Sequence, residues 1–134
     1  MNAPHILIVE DDPDIRESLV EFLEDHGYRV VAAHHGRDAL DHLLQASEPP
    51  SLIVLDLMMP VMDGAEFRAE QLRHPALAQI PVVLISAYRD VAARAAALDR
   101  LPFLHKPFDL ARLLDIVRAR FQPAPGTAGT PAAG

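Results

Sequence analysis

The sequence has no cysteine and no tryptophan, and only one of its twelve basic residues, Lys106, is a lysine. The lack of cysteine excludes disulfide bonds, thiolate metal sites and catalysis by a cysteine thiolate. No apolar run approaches the roughly 18 residues that cross a bilayer. Residues Met1 to Pro4 lack the charged and apolar regions of a signal peptide. We therefore expect a cytoplasmic protein that does not insert into membranes.

Positive charge is scarce, since 19 acidic residues outnumber 12 basic ones and the formal net charge is -7. Nucleic-acid binding depends mainly on clustered lysine and arginine, so DNA and RNA are not expected partners of this segment. The sequence also lacks the glycine-rich motifs that cradle nucleotides. A nucleotide site is therefore not predicted.

Half of the 134 residues are hydrophobic and 23% are charged, which is typical of a folded globular domain. The length favours a single domain. Residues 122–134 differ from the rest, because they carry no charge and consist mainly of alanine, proline, glycine and threonine. We predict one folded domain over residues 1–121 and a flexible tail or linker stub over residues 122–134.

Short apolar runs alternate along the chain with segments of helical periodicity. The predicted strands are His5 to Val9, Tyr28 to Ala33, Ser51 to Leu55, Ile80 to Ile85 and Leu101 to His105. The predicted helices are Pro13 to His26, Gly36 to Gln45, Ala65 to Leu72, Val91 to Leu98 and Leu110 to Phe121. Near-continuous apolar strands joined by helices are typical of a parallel sheet covered on both faces. We therefore predict a doubly wound α/β fold with five parallel strands in the flavodoxin-like order 2-1-3-4-5.

Capping residues and the spacing of apolar residues predict where some helices begin and which of their residues face the core. Asp12 followed by Pro13 predicts the start of the first helix, and Asp109 can cap the last one. Helical spacing also predicts that Leu44 of the second helix and Leu72 of the third face the core.

Polar side chains follow four of the five predicted strands. Glu10 and Asp11 follow the first strand, Asp56 the third, Ser86 the fourth and Lys106 the fifth. In an open α/β sheet, ligands bind beyond the carboxyl ends of the strands, and the order 2-1-3-4-5 brings the three carboxylates together. Carboxylates in one pocket repel each other unless a hard cation neutralises them, and Mg²⁺ is the usual choice. The sequence therefore predicts a magnesium site at this edge of the sheet.

The same edge has the groups needed to bind a phosphoryl group. A metal held by few carboxylates keeps positions open for phosphoryl oxygens, which Lys106 and the Ser86 hydroxyl can also contact. A central carboxylate can then act as a nucleophile and form an acyl phosphate, and Asp56 is the best candidate for this role. A compact ammonium suits a phosphoryl oxygen, which explains a lysine in a chain that otherwise uses arginine.

Four motifs occur in order along the chain: Ile6 to Asp12, Val54 to Gly64, Leu84 to Ala87 and Lys106 to Phe108. Together they resemble a response-regulator receiver domain, the phospho-acceptor module of two-component signalling. The resemblance covers residues 4 to about 121. It implies a protein that is not an enzyme in the ordinary sense, because it catalyses only its own phosphorylation and slow dephosphorylation.

The resemblance also implies roles for individual residues. Asp56 would accept a phosphoryl group from the phosphohistidine of a sensor histidine kinase or a histidine phosphotransfer protein. Mg²⁺ would be held by Asp11, Asp56 and the Met58 carbonyl, with Glu10 acting through water. Ser86 and Lys106 would bind the phosphoryl oxygens.

Further expectations concern switching and output. Ser86 and Phe103 fall at the switch positions of the family, and Lys106-Pro107 falls at its usual cis peptide. Neither Met58 nor Tyr88, at two positions that tune the lifetime of the acyl phosphate, is suited to fixing an attacking water, so we expect slow self-dephosphorylation. The segment from Ser86 to Lys106 is shorter than is usual, so the standard dimer surface is not assumed. We expect a single-domain regulator or phosphorelay intermediate with a downstream protein target that the sequence does not identify.

Two other functions are compatible with these residues. A degenerate receiver would act as an unphosphorylated scaffold, and a phosphohydrolase with an aspartyl-phosphate intermediate would need similar carboxylates, Mg²⁺ and lysine. The haloacid-dehalogenase pattern of such enzymes has a second aspartate two residues after the nucleophile, where this chain has Met58. Ser86 taken alone can equally be a helix cap.

Overall fold

The computed structural model describes residues 4–98 and 100–121. Its elements in chain order are β1 (His5–Val9), α1 (Pro13–Asp25), β2 (Arg29–Ala33), α2 (Gly36–Gln45), β3 (Leu52–Asp56), α3 (Gly64–Leu72), α4 (Pro75–Ala78), β4 (Val82–Ser86), α5 (Val91–Ala97), β5 (Phe103–His105) and α6 (Leu110–Phe121). The predicted tail over residues 122–134 lies outside the described residues, so the domain boundary at residue 121 stays a prediction. Within the described residues, no helix is long and apolar enough to span a membrane.

The five strands form one parallel sheet in the order β2-β1-β3-β4-β5, which confirms the predicted doubly wound fold. Strands β1, β3 and β4 are buried along their whole length, as their unbroken apolar runs predict. Strands β2 and β5 carry exposed residues, because each lies at an edge of the sheet.

Each face of the sheet has its own hydrophobic cluster, because alternate residues of a strand point to opposite faces. Leu7 and Val9 of β1 pack with residues of α2, α3 and α5. Ile6 and Ile8 pack with residues of α1 and α6 on the other face. Both faces are therefore covered by helices, and the ends of the strands are where polar groups of the sheet can meet a ligand.

The predicted caps are present at the first and last helices. The Asp12 carboxylate accepts hydrogen bonds from the backbone N–H groups of Asp14 (2.9 Å) and Ile15 (3.2 Å), and Pro13 opens α1. The Asp109 carboxylate accepts one from the Ala111 N–H at 2.9 Å. Each cap satisfies helix N–H groups that have no partner within the helix.

One helical turn, α4, was not predicted from the sequence. The Gln71 side chain, fully buried at the end of α3, donates hydrogen bonds to the carbonyl oxygens of Leu77 (2.8 Å) and Ile80 (3.1 Å). These contacts fix α4 against α3. Strand β4 accordingly starts at Val82, two residues later than predicted, after Pro81, which has no N–H to donate to the sheet.

Two predicted core positions are wrong, since Leu44 and Leu72 are 53% and 44% exposed. The buried positions of α2 follow the spacing of Gly36, Leu40 and Leu43, and Leu44 falls to the side of this stripe. On α3 the inward position at the end of the helix is taken by Gln71, so the next residue is rotated toward solvent.

Candidate functional site

The carboxyl ends of β1, β3, β4 and β5 meet at one edge of the sheet, and the polar residues that follow or end these strands meet there. Glu10, Asp56 and Ser86 are buried, Lys106 is partly buried and Asp11 is exposed. The backbone N–H of Lys106 donates a hydrogen bond to the backbone carbonyl of Ser86 at 2.7 Å, so the ends of β5 and β4 are joined directly at the site. This placement follows from the strand order.

Three carboxylates form a tight acidic cluster at this edge. One oxygen each from Glu10, Asp11 and Asp56 lies within 4.8 Å of the others. Burial, together with a hydrogen bond to the neighbouring Glu10 carboxyl and the charge of that carboxyl, raises the pKa of Asp56 to about 7. Three negative charges this close together repel one another, and a bound cation would relieve the repulsion.

Lys106 supplies a positive charge inside this cluster. Its Nζ donates to Glu10 Oε1 at 2.7 Å and to Asp56 Oδ2 at 3.4 Å, and only 16% of its side chain is exposed. Burial alone lowers the pKa of Lys106, but the hydrogen bond to Glu10 and the charges of Asp56 and Glu10 outweigh it, so the pKa lies above its ordinary value. Lys106 therefore stays protonated near neutral pH.

Backbone N–H groups orient the two buried carboxylates. The Met58 N–H donates to Asp56 Oδ1 at 3.0 Å, and the Asp12 N–H donates to Glu10 Oε2 at 3.1 Å. In each carboxylate, one oxygen faces a backbone donor and the other faces Lys106. Two such anchors fix the orientation of a carboxylate better than one does.

The sequence analysis missed Arg16, which also belongs to this edge. Its Nη1 donates to the carbonyl oxygens of Glu10 (2.9 Å) and Asp11 (3.4 Å). Arg16 therefore helps to fix the backbone of Glu10 and Asp11, two of the three acidic residues. Its position in the first turns of α1 was the only signal, and arginines at such positions are common.

Ser86 is fully buried at the end of β4. Its Oγ accepts a hydrogen bond from the Tyr88 N–H at 3.0 Å, which leaves its own hydroxyl hydrogen free to donate. Helix α5 begins only at Val91, with Asp90 before it, so Ser86 does not cap that helix. The cap interpretation of Ser86 is therefore wrong.

The loop between β3 and α3 folds tightly back over the end of β3. The Gly64 N–H donates to the Leu57 carbonyl at 3.1 Å, and a Cβ at Gly64 would lie 2.8 Å from the Asp56 carbonyl oxygen. Only glycine allows this approach.

At the tip of the loop, Val61 has a φ of 70°, which is strained for a β-branched residue, and its side chain is 76% exposed. Met58, whose carbonyl is a predicted ligand, is also exposed.

The segment around β5 contains the remaining predicted residues. The Lys106-Pro107 peptide bond is cis, as the resemblance implied. Phe103 is 39% exposed on the edge strand, so it is a surface residue rather than part of the core. Its switch role stays a prediction.

A largely apolar groove of about 540 Å³ borders Lys106 and lies between α1 and the start of α6. It is lined by Ile15, Leu19, Ala87, Pro107, Phe108 and Leu110, among others. The site thus lies at the side of a surface recess that can take part of another molecule.

The donor set fits a hard divalent cation. Carboxylate and carbonyl oxygens are the ligands that Mg²⁺ prefers, whereas zinc sites are built mainly from nitrogen and sulfur. Glu10, Asp11 and Asp56 offer three carboxylates within 4.8 Å, and the raised pKa of Asp56 indicates that negative charge there lacks full compensation. Together with Lys106, such a cation would make the edge suitable for binding a phosphoryl group.

Comparison with known proteins agrees with this chemistry. The family model for the response regulator receiver domain matches residues 6–118. The chain is 44% identical over 116 residues to the response regulator MprA of Mycolicibacterium vanbaalenii, covering 85% of this chain and 48% of that protein. It is 43% identical over 116 residues to MprA of Mycobacterium tuberculosis, covering 85% and 49%. The chain therefore spans about half the length of the curated relatives it matches.

Solved structures are similar over nearly the whole fold. A signal receiver domain of a histidine kinase from Syntrophus aciditrophicus superposes with a TM-score of 0.81 at 30% identity, covering 98% of this chain and 100% of that one. The response regulator TrrA from Thermotoga maritima, solved in complex with Mg²⁺ and BeF, superposes with a TM-score of 0.76 at 28% identity, covering 88% and 99%.

Proposed function

The chain belongs to the response regulator receiver family, and we propose that it acts as a phospho-acceptor in two-component signalling, with Asp56 as the residue that takes the phosphoryl group. The environment of Asp56 is the main support for this proposal. Its buried carboxylate is held by the Met58 N–H through Oδ1, and its Oδ2 lies 3.4 Å from Lys106 Nζ. A nucleophile for phosphoryl transfer needs this fixed orientation beside a cation.

The proposed step moves one phosphoryl group. An Asp56 carboxylate oxygen forms a bond to phosphorus while the N–P bond of a phosphohistidine breaks, and the released imidazole takes up a proton. The product is an acyl phosphate on Asp56. Lys106 balances the added negative charge, and the Ser86 hydroxyl, whose hydrogen is free to donate, contacts a phosphoryl oxygen.

Magnesium is the proposed cofactor. Asp11, Asp56 and the Met58 carbonyl would hold the ion, with Glu10 acting through water, and the ion would neutralise charge on the transferred group. The acidic cluster supports this assignment, as does the Mg²⁺ and BeF complex of the TrrA relative.

The proposed phosphoryl donor is a sensor histidine kinase or a histidine phosphotransfer protein. The proposed output is a change of protein contacts through Ser86 and Phe103, in a receiver domain over residues 1–121 followed by a tail over residues 122–134. We propose that the chain is a cytoplasmic single-domain regulator or a phosphorelay intermediate, and that this segment does not bind nucleic acid. The relatives it matches are about twice as long, so activities of their other half are not transferred to this chain.

The direct test is the intact mass after incubation with acetyl phosphate and Mg²⁺. We expect a gain of one phosphoryl group that is absent in Asp56→Asn and in samples treated with EDTA. No gain in the wild type, even with phosphorylated histidine kinase as donor, would indicate a degenerate scaffold. Continuous release of phosphate from a phosphomonoester would indicate a phosphohydrolase.

The lifetime of the phosphoryl group is a second measurement on the same sample. Neither Met58 nor Tyr88 offers a carboxylate or amide to fix an attacking water, so we expect slow self-dephosphorylation. A half-life of only seconds for the isolated protein would contradict this expectation.

A further inference from the structure

A chain of contacts connects helix α5 to the Ser86 hydroxyl. The guanidinium carbon of Arg94 lies 3.7 Å from the centroid of the Tyr88 ring. The Nε of Arg94 donates to Asp90 Oδ1 at 2.9 Å. The Tyr88 N–H in turn donates to Ser86 Oγ at 3.0 Å. These four residues therefore form one connected unit that ends inside the candidate site.

Asp90 takes part in this unit instead of capping its helix. It lies at the N-terminal boundary of α5, where an aspartate usually accepts a helix N–H, but its side chain makes no such bond. The hydrogen bond to Arg94 lowers the pKa of Asp90 and raises the pKa of Arg94. The carboxylate is thus used to hold the guanidinium over the Tyr88 ring.

The Tyr88 side chain lies between the core and a small pocket. A pocket of about 190 Å³ between α3 and α5 is lined by Tyr88 and Arg94 together with Leu57, Asp63 and Leu98, among others. The ring packs against the core cluster on this face of the sheet, and the negative charge of Asp63 also favours a cation at position 94. A cation lying on one face of the ring stabilises the position that the ring has here.

The position of Tyr88 matters for chemistry because its backbone N–H occupies an acceptor site of Ser86 Oγ. With that acceptor site filled, the hydroxyl hydrogen remains available to donate to another partner at the carboxyl ends of the strands. Movement of Tyr88 would release the oxygen and let the hydroxyl rotate.

We propose that Arg94 is a positioning residue for phosphoryl transfer: it holds Tyr88, and Tyr88 holds the Ser86 hydroxyl where it can donate to a phosphoryl oxygen. This inference rests on the proposed function, because it concerns the rate at which Asp56 is phosphorylated. Arg94 itself does not touch the reacting atoms. Asp90 supports it through their ion pair.

The test measures the rate of phosphorylation of the full chain by acetyl phosphate and Mg²⁺, followed by intact mass. In this reaction the phosphoryl group passes to Asp56 and acetate leaves. We expect Arg94→Gln to slow the reaction about two- to fivefold, the range that one cation–π contact at an exposed site sustains. Arg94→Lys keeps a cation over the ring and should recover most of the rate. Arg89→Gln is the matched control, because Arg89 is an exposed arginine in the turn just before α5, and it should not change the rate.

A double-substitution experiment separates positioning from a general structural effect. Ser86→Ala should slow the reaction by itself, and adding Arg94→Gln to it should cause no further loss, because the proposed path runs through the Ser86 hydroxyl. An equal loss in both backgrounds, or a wild-type rate for Arg94→Gln, would overturn the inference. If the wild type gains no phosphoryl group, the proposed function fails instead, so the two failures are distinguishable.

Discussion

The two ends of the sheet bury ionisable groups in opposite ways. At the carboxyl end, Glu10 and Asp56 are nearly inaccessible but are joined to Lys106 by hydrogen bonds of 2.7 and 3.4 Å. At the amino end, His5 and His42 pack edge to face with ring centroids 5.8 Å apart, and within the described residues the Nε2 atom of each is buried without a hydrogen-bond partner.

The carboxyl end of the sheet is the one suited to a change of charge. Paired charges in a buried cluster respond strongly when one member gains or loses charge, as on phosphorylation or cation binding. A buried imidazole such as His5, whose pKa burial lowers, responds mainly by losing stability when it is protonated. Within the described residues, the carboxyl end combines buried charge, the proposed nucleophile Asp56 and a bordering groove.

Removing Lys106 should leave the buried carboxylates at the carboxyl end without their positive partner. In Lys106→Ala, Glu10 and Asp56 lose their buried cation, and we expect the free energy of unfolding at pH 8 without Mg²⁺ to fall by about 3–5 kcal/mol. Mg²⁺ should restore part of the loss. Urea unfolding in EDTA and in Mg²⁺ measures both effects. Arg120→Ala, on the exposed surface of α6, should change stability by less than about 0.5 kcal/mol.

The carboxyl end should also make the metal-free protein less stable as pH rises. Burial, followed by the neighbouring Glu10, raises the pKa of Asp56 from 3.8 to about 7. The folded chain thus keeps a proton that the unfolded chain releases, so this contribution to stability is complete below about pH 4 and lost as pH rises through 7. We expect a loss of about 2–4 kcal/mol across that window, since one pKa unit is about 1.4 kcal/mol.

Asp56→Asn tests this pH dependence, because asparagine has no proton to release. The variant should show a flatter stability profile between pH 4 and 8 in EDTA, measured by urea unfolding at fixed ionic strength. Parallel profiles for the wild type and the variant would show that Asp56 titrates normally.

The amino end should respond in the opposite pH direction and more weakly. Burial lowers the pKa of His5, as do the charges of His42 and Arg29, with Glu48 opposing them. The stability that depends on neutral His5 is therefore present above pH 6.5 and is lost as pH falls through the lower folded-state pKa. We expect His5→Leu to stabilise the protein by about 1 kcal/mol at pH 5 and less at pH 7.

The control for that experiment is His26→Leu, at an exposed position after α1. Comparing the two variants at pH 5 and pH 7 separates the contribution of His5 from the general effect of replacing a histidine by leucine. Phosphorylation of Asp56 in His5→Leu should match the wild type, because the two residues lie at opposite ends of the sheet. A slower reaction in His5→Leu would show that the two ends are coupled.

Much of the fold and the acidic edge could be predicted because their signals are local. An unbroken apolar run such as Ile6 to Val9 needs burial on both faces, and a carboxylate directly after such a run falls at the strand end whatever surrounds it. The caps at Asp12 and Asp109 depend on residues only two or three positions away.

Other features depend on contacts between distant parts of the chain. Gln71 gave no sign that it would fix α4 through the Leu77 and Ile80 carbonyls, and the apolar residue Leu72 was assigned to the core in its place. Arg16 is similarly ordinary in sequence, because only the turn between β1 and α1 brings it to the Glu10 carbonyl.

Residue type and short-range periodicity were enough to predict the five strands to within about two residues, the order of the polar residues along the chain and the chemistry they offer. Which side chains touch depends on the folded arrangement: Lys106 contacts Glu10 across 96 positions of sequence, and the Arg94 guanidinium lies over the Tyr88 ring. Such contacts arise only after packing of the sheet and helices fixes distances, which no local pattern encodes.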